Sequence, residues 1–298
     1  MHKRFTLLFI AVAAMLLVAC GGVCASYVGT EENPLIWALV PSQDTDAVLA
    51  GAEEIAAYVE EQTGYVIEAV VTTDFTAAVE AMCSGEAHIG ALNTFNYIVA
   101  HERGCADVEL ASVRFGANYY AGQIITQAGS GIESVADLAG TTFCRPDPTS
   151  TSGGIIPSIA MQAEGINPET DLAEIVDAGG HDGVVIAVYE GNCDAGSTFV
   201  DARSNIEETY PDVLDQVVVV AESAPIPNDT VSFHPDLDQE MVDAIVAALL
   251  TLNDSEDGTA LLNALYSWSG LDAVDDSFYD GFRQQLEAAG MSVEDLLD

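Results

Sequence analysis

The feature that most constrains the fold is a regular alternation of short apolar runs and helical segments. Residues 35–40, Leu-Ile-Trp-Ala-Leu-Val, form an apolar run that Pro41 stops, and residues 47–63 then have apolar positions at helical spacing. Apolar runs bounded by turn residues are typical of buried strands, and alternating strands and helices predict a parallel sheet. The pattern repeats, with strands predicted over 65–71 and 88–92 and helices over 75–84 and 95–103.

A second α/β series begins near residue 122. It follows an extended run over 119–126 and contains predicted strands over 141–144, 194–199 and 217–221, with helices over 134–140, 152–165 and 182–190. The C-terminal part is predicted to be helical over 238–252, 258–267 and 276–289. About 280 residues suit two domains better than one. We therefore expect two α/β lobes joined by two crossings, lobe 1 from 34–121 and 226–298 and lobe 2 from 122–225.

The N-terminus has the pattern of an export signal. A short basic stretch ends at Arg4, and residues 5–19 are uncharged and almost wholly apolar, which is typical of a signal peptide and short of the roughly 20 residues of a membrane span. Residues 17–21, Leu-Val-Ala-Cys-Gly, resemble a bacterial lipobox. We therefore predict a lipoprotein signal peptide over 1–19, a lipid anchor on Cys20, a tether over 20–33 and an extracytoplasmic location. The alternative is a secretory peptide cleaved near Ala25.

The charge of the chain is strongly one-sided. It has 48 acidic and 7 basic residues, and loss of Lys3 and Arg4 with the signal would leave 5 basic residues and a net charge of about −43. Nucleic-acid binding needs a basic surface, so this composition argues strongly against it.

Export places the cysteines in an oxidising compartment. With Cys20 assigned to lipid and Cys24 in the tether, four cysteines remain, and these allow three disulfide pairings. We favour the two pairs that each lie within one predicted lobe, Cys83–Cys105 and Cys144–Cys193. The competing interpretation is a zinc site, but the sequence has no C-x2-C pair, so no metal or other cofactor is predicted.

The most informative motif is residues 147–153, Asp-Pro-Thr-Ser-Thr-Ser-Gly, which lie between a predicted strand and a predicted helix. The N–H groups at a helix N-terminus have no acceptor within the helix, and the helix dipole favours an anion there. Hydroxyl groups add further donors. The motif therefore predicts an anion site, with an ordinary N-cap as the alternative.

This motif resembles that of the phosphonate/phosphite-binding (PhnD-like) periplasmic proteins of ABC transporters. The resemblance extends over roughly 35–290 and includes residues 178–182, Ala-Gly-Gly-His-Asp, and 225–229, Pro-Ile-Pro-Asn-Asp. It implies a bilobal type II periplasmic-binding-protein fold with a two-crossing hinge. It also implies a solute-binding lipoprotein, not an enzyme, that binds a small phosphorus oxyanion between the lobes and docks on ABC permease subunits.

The resemblance also implies roles for individual residues. Ser150, Thr151 and Ser152 would hold the phosphorus-bound oxygens, and His181 would donate to the same oxyanion. Asp201 and Asp229 match acidic positions of the cleft, where a carboxylate accepts a hydrogen bond from P–OH or pairs with an amine of the ligand. The remaining predicted contacts are Tyr119 next to the hinge, Asn93 and Thr94 at the end of the third strand, and Phe75, which stands where relatives often have tyrosine.

Two arginines, Arg114 and Arg145, are close enough in sequence to these elements to supply positive charge. In so acidic a chain we interpret both as salt-bridge partners. Two other functions stay open on sequence grounds. An enzyme on the same fold would need a positioned nucleophile, and the chain has no G-x-S-x-G motif. A ligand-sensing subunit of a membrane receptor would use the same cleft. The identity of the oxyanion is also open.

Overall fold

A computed structural model describes residues 28–291. The predicted signal peptide, the lipidation site Cys20 and the first part of the predicted tether lie outside the described residues. No helix within 28–291 has both the length and the apolar character needed to cross a membrane.

The strands form two mixed sheets and one short ribbon. The strands are β1 Leu35–Leu39, β2 Ile67–Val71, β3 Ile89–Leu92, β4 Asp107–Val113, β5 Tyr119–Tyr120, β6 Gly122–Gln127, β7 Thr142–Arg145, β8 Glu174–Asp177, β9 Ala195–Phe199, β10 Val217–Glu222, β11 Ile226–Pro227, β12 Thr230–Phe233 and β13 Gly270–Ala273. The first sheet has the order β13-β4-β12-β3-β1-β2 and the second β10-β6-β9-β7-β8.

The strand directions follow from the connections. β1 pairs in parallel with β2 and β3, as the βαβαβ pattern predicts, because each connection contains a helix. β12 is antiparallel to both β3 and β4. In the second sheet β7 is parallel to β8 and β9, whereas β6 is antiparallel to β9 and β10. β5 pairs with β11 where the chain passes between the sheets, and we call this pair the hinge ribbon.

Helices cover both sheets. They are α1 Thr45–Thr63, α2 Phe75–Cys83, α3 Thr94–Glu102, α4 Ile156–Ala163, α5 Pro168–Asp171, α6 His181–Tyr189, α7 Val213–Gln216, α8 Gln239–Leu250, α9 Glu256–Tyr266 and α10 Asp280–Ala288. Short 3-10 turns cover Val135–Leu138, Ala202–Ile206, Thr251–Asp254 and Asp276–Tyr279, and a π-turn covers Thr151–Ile155. Side-chain caps begin many of the helices, for example Asp74, which accepts a hydrogen bond from the Ala77 N–H at 2.7 Å.

Five strands were not predicted from the sequence, namely β4, β8, β11, β12 and β13. β13 also corrects the prediction of a wholly helical C-terminal part, because it pairs with β4 at the edge of the first sheet. Its sequence, Gly-Leu-Asp-Ala, has no β-branched residue, so only its hydrogen bonds to β4 make it a strand. The helix predicted over 152–165 is shorter and begins as the π-turn.

Each lobe has its own core and its own disulfide. The first core lies between the six-stranded sheet and its helices and includes the fully buried Trp268 and Tyr97. The second lobe packs around Val184, Val188 and Phe199. The disulfides are Cys83–Cys105 and Cys144–Cys193, with Cα–Cα distances of 4.7 and 5.9 Å, and they are the two pairs that the sequence analysis favours. Each stabilises its lobe by about 3–4 kcal/mol.

Candidate functional site

Residues 147–153, which we call the hydroxyl loop, lie between β7 and α4 and include the first residues of the π-turn. They form one wall of the cleft. The carboxylate of Asp147 fixes the loop by accepting the Thr149 N–H at 2.7 Å and the Thr149 hydroxyl at 2.8 Å. Ser150 then caps the turn, with its hydroxyl oxygen 3.3 Å from the Gly153 N–H. The fold therefore presents Ser150, Thr151 and Ser152, all at least 98% buried, at the start of a helical segment.

Two glycines make this turn possible. A Cβ atom at Gly154 would lie 2.3 Å from the carbonyl oxygen of Pro148, and one at Gly153 would lie 2.3 Å from Cδ of Pro146. Real Cβ atoms do not approach other atoms so closely, so the loop folds back on itself only with glycine at both positions. Single π-turns of this kind are frequent at functional sites.

The hydroxyl of Thr151 joins the two lobes. It donates to Oδ1 of Asn93 at 2.8 Å and accepts the Phe95 N–H at 3.0 Å. The His181 N–H also crosses the cleft, to the carbonyl of Ser42 at 2.9 Å. The lobes are therefore closed on each other, and Nδ2 of Asn93 is left buried with no partner among the described residues.

His181 begins α6 and is 3% exposed. Its Nδ1 is 2.8 Å from the Thr198 hydroxyl, and its Nε2 is 3.4 Å from the Ser150 hydroxyl. Burial, together with the positive charge of Arg114, lowers the pKa of His181 to about 3. The ring is therefore neutral at physiological pH, and one of its nitrogens can donate a hydrogen bond.

Arg114 and Asp229 form the charged wall of the cleft. The guanidinium of Arg114 lies over the ring of Phe199, 4.3 Å from its centroid, and its Nε has no hydrogen-bond partner within 28–291. Burial raises the pKa of Asp229 to about 6, although the charge of Arg114 opposes this. Near neutral pH this carboxyl group can therefore hold or release a proton.

These side chains surround one small space. The centre of a water molecule can move within about 20 Å³ of this space. With the radius of the water molecule added, the space holds a sphere about 3 Å in radius. A tetrahedral oxyanion has about this size. The residues that line the space are Val40, Ser42, Phe75, Ala91, Asn93, Arg114, Tyr120, Ser150, Thr151, Ser152, His181, Phe199, Asp229 and Tyr266.

The structure brings seven of the ten predicted ligand-binding residues to this space, and it does not bring Asp201, Tyr119 or Thr94 there. Thr94 is buried and donates to the carbonyl of Pro227 at 2.5 Å, so it ties α3 to the hinge ribbon. Tyr119 and Asp201 line a second cavity of about 440 Å³, which we call the hinge-side cavity and which shares Arg114 and Tyr120 with the ligand space.

Several residues that line the cleft were not predicted from the sequence, although a signal existed for one of them. Tyr120 follows Tyr119 in β5, and successive strand side chains point to opposite faces. Tyr119 packs against Phe278, with ring centroids 5.1 Å apart, whereas Tyr120 faces the hydroxyl loop. Tyr266 comes from α9, far away in sequence, and nothing local marks it.

The two arginines differ from each other. Arg145 pairs with Asp177 at 2.6 Å, as expected for a salt bridge. Arg114 has no ion-pair partner among residues 28–291, contrary to the expectation. Arg114 is buried at the cleft, where its contact is an aromatic ring. Asp229 and Asp201 are nearby acids, but neither pairs with it.

Residues 37–279 match the family described as the periplasmic substrate-binding protein of phosphonate ABC transporters. The chain belongs to this family. Its members are transporter binding proteins, not enzymes, which agrees with the prediction from the sequence. The chain is thus an extracytoplasmic substrate-binding protein of the phosphonate ABC transporter family.

Individual relatives agree with this assignment. The phosphate-import protein PhnD of Mycolicibacterium smegmatis is 27% identical over 306 residues, which cover 94% of each chain. A binding protein of an ABC phosphonate transporter from Pseudomonas aeruginosa superimposes with a TM-score of 0.79 at 21% identity, over 86% of this chain and 87% of that one. A PhnD protein of Prochlorococcus marinus, solved with methylphosphonate, has a TM-score of 0.76 at 13% identity, over 86% and 98%. These similarities confirm the predicted bilobal type II fold.

Proposed function

We propose that this binding protein captures a small phosphorus oxyanion, either a phosphonate, phosphite or phosphate, in the cleft between the hydroxyl loop and Arg114. The observation that carries the proposal is a space of tetrahedral-anion size lined by hydroxyl groups, a neutral histidine and two buried donors without partners, Asn93 Nδ2 and Arg114 Nε. Buried donors without partners cost free energy, which an anion accepting from them would recover. The M. smegmatis relative is a phosphate-import protein and the P. marinus structure holds methylphosphonate, which supports this ligand class.

Each wall has a distinct role in this proposal. The hydroxyls of Ser150 and Ser152 and the first N–H groups of the helical segment donate to the phosphorus-bound oxygens. Nε2 of His181 donates from the side of Ser150. Asp229 shares one proton with the ligand, because either an ionised Asp229 accepts from P–OH or a protonated Asp229 donates to P–O⁻. An oxyanion with no proton, facing an ionised Asp229, is repelled.

Closure couples binding to transport. We propose that residues 34–121 with 226–298 move as one lobe and 122–225 as the other, about the hinge ribbon. Ligand in the cleft adds contacts from both lobes and so shifts the population toward the closed form, which the permease subunits recognise.

Calorimetry with the soluble chain, residues 21–298, tests the ligand assignment. We expect methylphosphonate, phosphite or phosphate to bind, with Ser150→Ala weakening binding about 10- to 100-fold, the effect of one hydrogen bond to a charged group. Ser158→Ala is the matched control, because the Ser158 hydroxyl donates to the Gly154 carbonyl within its own helix and lies outside the lining of the cleft. If no phosphorus oxyanion binds the folded, ligand-free protein, the proposal is wrong.

We also propose that the protein is a lipoprotein anchored to the membrane through Cys20. The support is the lipobox-like residues 17–21, Leu-Val-Ala-Cys-Gly, after an apolar stretch. Labelling of the full chain with a fatty acid in a bacterial host should be lost in Cys20→Ala and retained in Cys24→Ala. Labelling that persists in Cys20→Ala would overturn the anchor.

A further inference from the structure

Arg114 differs from the other arginines of the described chain. Arg103, Arg145 and Arg283 each pair with a carboxylate, and these pairs lie toward the surface. Arg203 donates to the carbonyl of Val217 at 2.7 Å. Arg114 is 6% exposed, its side chain contacts the face of Phe199, and this side chain forms neither an ion pair nor a hydrogen bond among residues 28–291. It is therefore a buried cation without a paired anion.

A guanidinium group stays charged even when buried. Burial of a charge is costly unless an opposite charge and hydrogen bonds compensate for it. Asp229 lines the same cleft but forms no ion pair with Arg114 among the described residues. Arg114 also lines the hinge-side cavity together with Asp201 and Glu222, but it forms no ion pair with either acid. A ligand bound in the cleft can therefore supply the compensating negative charge.

The cleft has few groups that could stabilise a positively charged part of a ligand. Asp229 is the one carboxylate among its described lining residues, and Arg114 lines the same space. Asp201 lies on the hinge-side cavity. The carboxylate of Asp147 is occupied by the N–H groups of Phe75 and Thr149. A ligand ammonium group would therefore meet one carboxylate whose field Arg114 already opposes.

We propose that Arg114 is a specificity-determining residue that makes the cleft select phosphorus oxyanions with a small uncharged substituent and exclude aminoalkyl phosphonates. This rests on the proposed function. The positive charge attracts the anionic phosphorus group and repels an ammonium group held beside it. The size of the closed cleft acts in the same direction, since the space holds a tetrahedral centre and little more.

Two ligands of the same shape test the proposal. Ethylphosphonate and aminomethylphosphonate differ by exchange of a methyl for an ammonium group. Calorimetry on the wild-type chain should give ethylphosphonate an affinity at least about tenfold higher, because two like charges several ångströms apart repel each other inside a protein. Arg114→Gln should weaken ethylphosphonate binding and reduce the preference for ethylphosphonate over aminomethylphosphonate to less than about threefold. Arg114→Lys, which keeps the charge, should retain the preference.

The outcomes separate the two proposals. If wild-type protein binds aminomethylphosphonate as tightly as ethylphosphonate or more tightly, or if the ratio of the two affinities is the same in Arg114→Gln, the role of Arg114 is overturned while the ligand class stands. The same holds if the protein binds methylphosphonate, phosphite or phosphate but neither of these two ligands, because size alone then excludes aminoalkyl phosphonates. If wild-type protein binds neither of these nor methylphosphonate, phosphite or phosphate, the ligand class itself is overturned, and the role of Arg114 with it. If Arg114→Gln fails to fold, the ratio of the two affinities in the wild-type protein still tests whether the cleft excludes aminoalkyl phosphonates.

Discussion

The two walls of the cleft are suited to an anion by different physical means. The hydroxyl loop offers neutral donors, and its geometry depends on backbone packing at Gly153 and Gly154. The opposite wall offers charge, a guanidinium over an aromatic ring and a carboxyl group whose pKa burial raises to about 6. One lobe thus supplies the shape of the cleft and its neutral hydrogen-bond donors. The other lobe, beside the hinge, supplies the charges and the carboxyl group that responds to the protonation state of the ligand.

The largest expected effect comes from the shape of the neutral wall. Gly154→Ala places a Cβ atom 2.3 Å from the Pro148 carbonyl oxygen. We expect loss of about 3 kcal/mol or more of unfolding free energy, measured with urea, and at least a hundredfold loss of affinity, because the loop cannot keep its geometry.

Gly281→Ala is the control for this change. Gly281 lies in α10, and a Cβ atom there would have no neighbour within 4 Å. Alanine is the better helix former, so stability should rise by up to about 1 kcal/mol. Equal losses in the two variants would show that the hydroxyl loop does not depend on close packing at Gly154.

The next largest effect is on the stability of the ligand-free protein and comes from Asp229 in the charged wall. The pKa of Asp229 is raised from 3.8 to about 6, so the buried group binds its proton more tightly in the folded state. The cost of ionisation is absent below pH 3.8, builds between pH 3.8 and 6, and is constant above pH 6. Asp229→Asn should therefore stabilise the ligand-free protein by roughly 2 kcal/mol at pH 8 and by little at pH 4.

Urea unfolding at the two pH values measures this difference. Asp254→Asn, at an exposed position, is the control and should change stability by less than about 0.5 kcal/mol. A gain for Asp229→Asn that is the same at pH 4 and pH 8 would mean that ionisation of Asp229 is not its cause.

A smaller effect is expected on the pH dependence of binding. If ligand and Asp229 share one proton, affinity should fall about tenfold per pH unit once both groups are ionised in the free state, above about pH 7. Calorimetry with phosphite between pH 6 and 9 should show this decline in the wild type and a shallower one in Asp229→Asn. A parallel decline in both proteins would place the shared proton elsewhere.

The smallest effect separates the two tyrosines of the hinge ribbon. Tyr120 faces Thr151 and Ser152, and its phenol is buried, which raises its pKa. Tyr120→Phe should weaken ligand binding about three- to tenfold through loss of one hydrogen-bonding group. Tyr119→Phe should leave affinity unchanged, since Tyr119 faces the hinge-side cavity. An effect at Tyr119 and none at Tyr120 would reverse the assignment of the two faces.

Much of the fold was predictable because its parallel strands are apolar runs bounded by turn residues. β1 and β3 were identified in this way. β12 and β13 were not, because β12 has only four residues and β13 has a strand-breaking composition. Both exist because β4 offers hydrogen bonds on either side. Such tertiary pairing leaves no periodic signal in a short segment.

The site was predictable where its chemistry is local. Three adjacent hydroxyl residues before a helix mark the neutral wall by themselves. The prediction for Arg114 was wrong because, in so acidic a chain, a salt bridge was the reasonable expectation. Only the fold shows that the side chain lies over the ring of Phe199 instead. Asp201 adopts a left-handed backbone with φ 70° that directs it to the hinge-side cavity, which the sequence does not reveal.

The position of β12 has a consequence for the order in which this protein is completed during export. β12 lies between β4 and β3 in the first sheet, yet it comes after all five strands of the second sheet in the chain. A chain that emerges N-terminus first can therefore complete the sheet of its second lobe while the sheet of the first lobe still lacks a central strand. Until residues 230–233 arrive, the facing edges of β3 and β4 are exposed, and unpaired strand edges invite association with other chains. Newly exported molecules are thus most vulnerable to aggregation in the lobe that was started first.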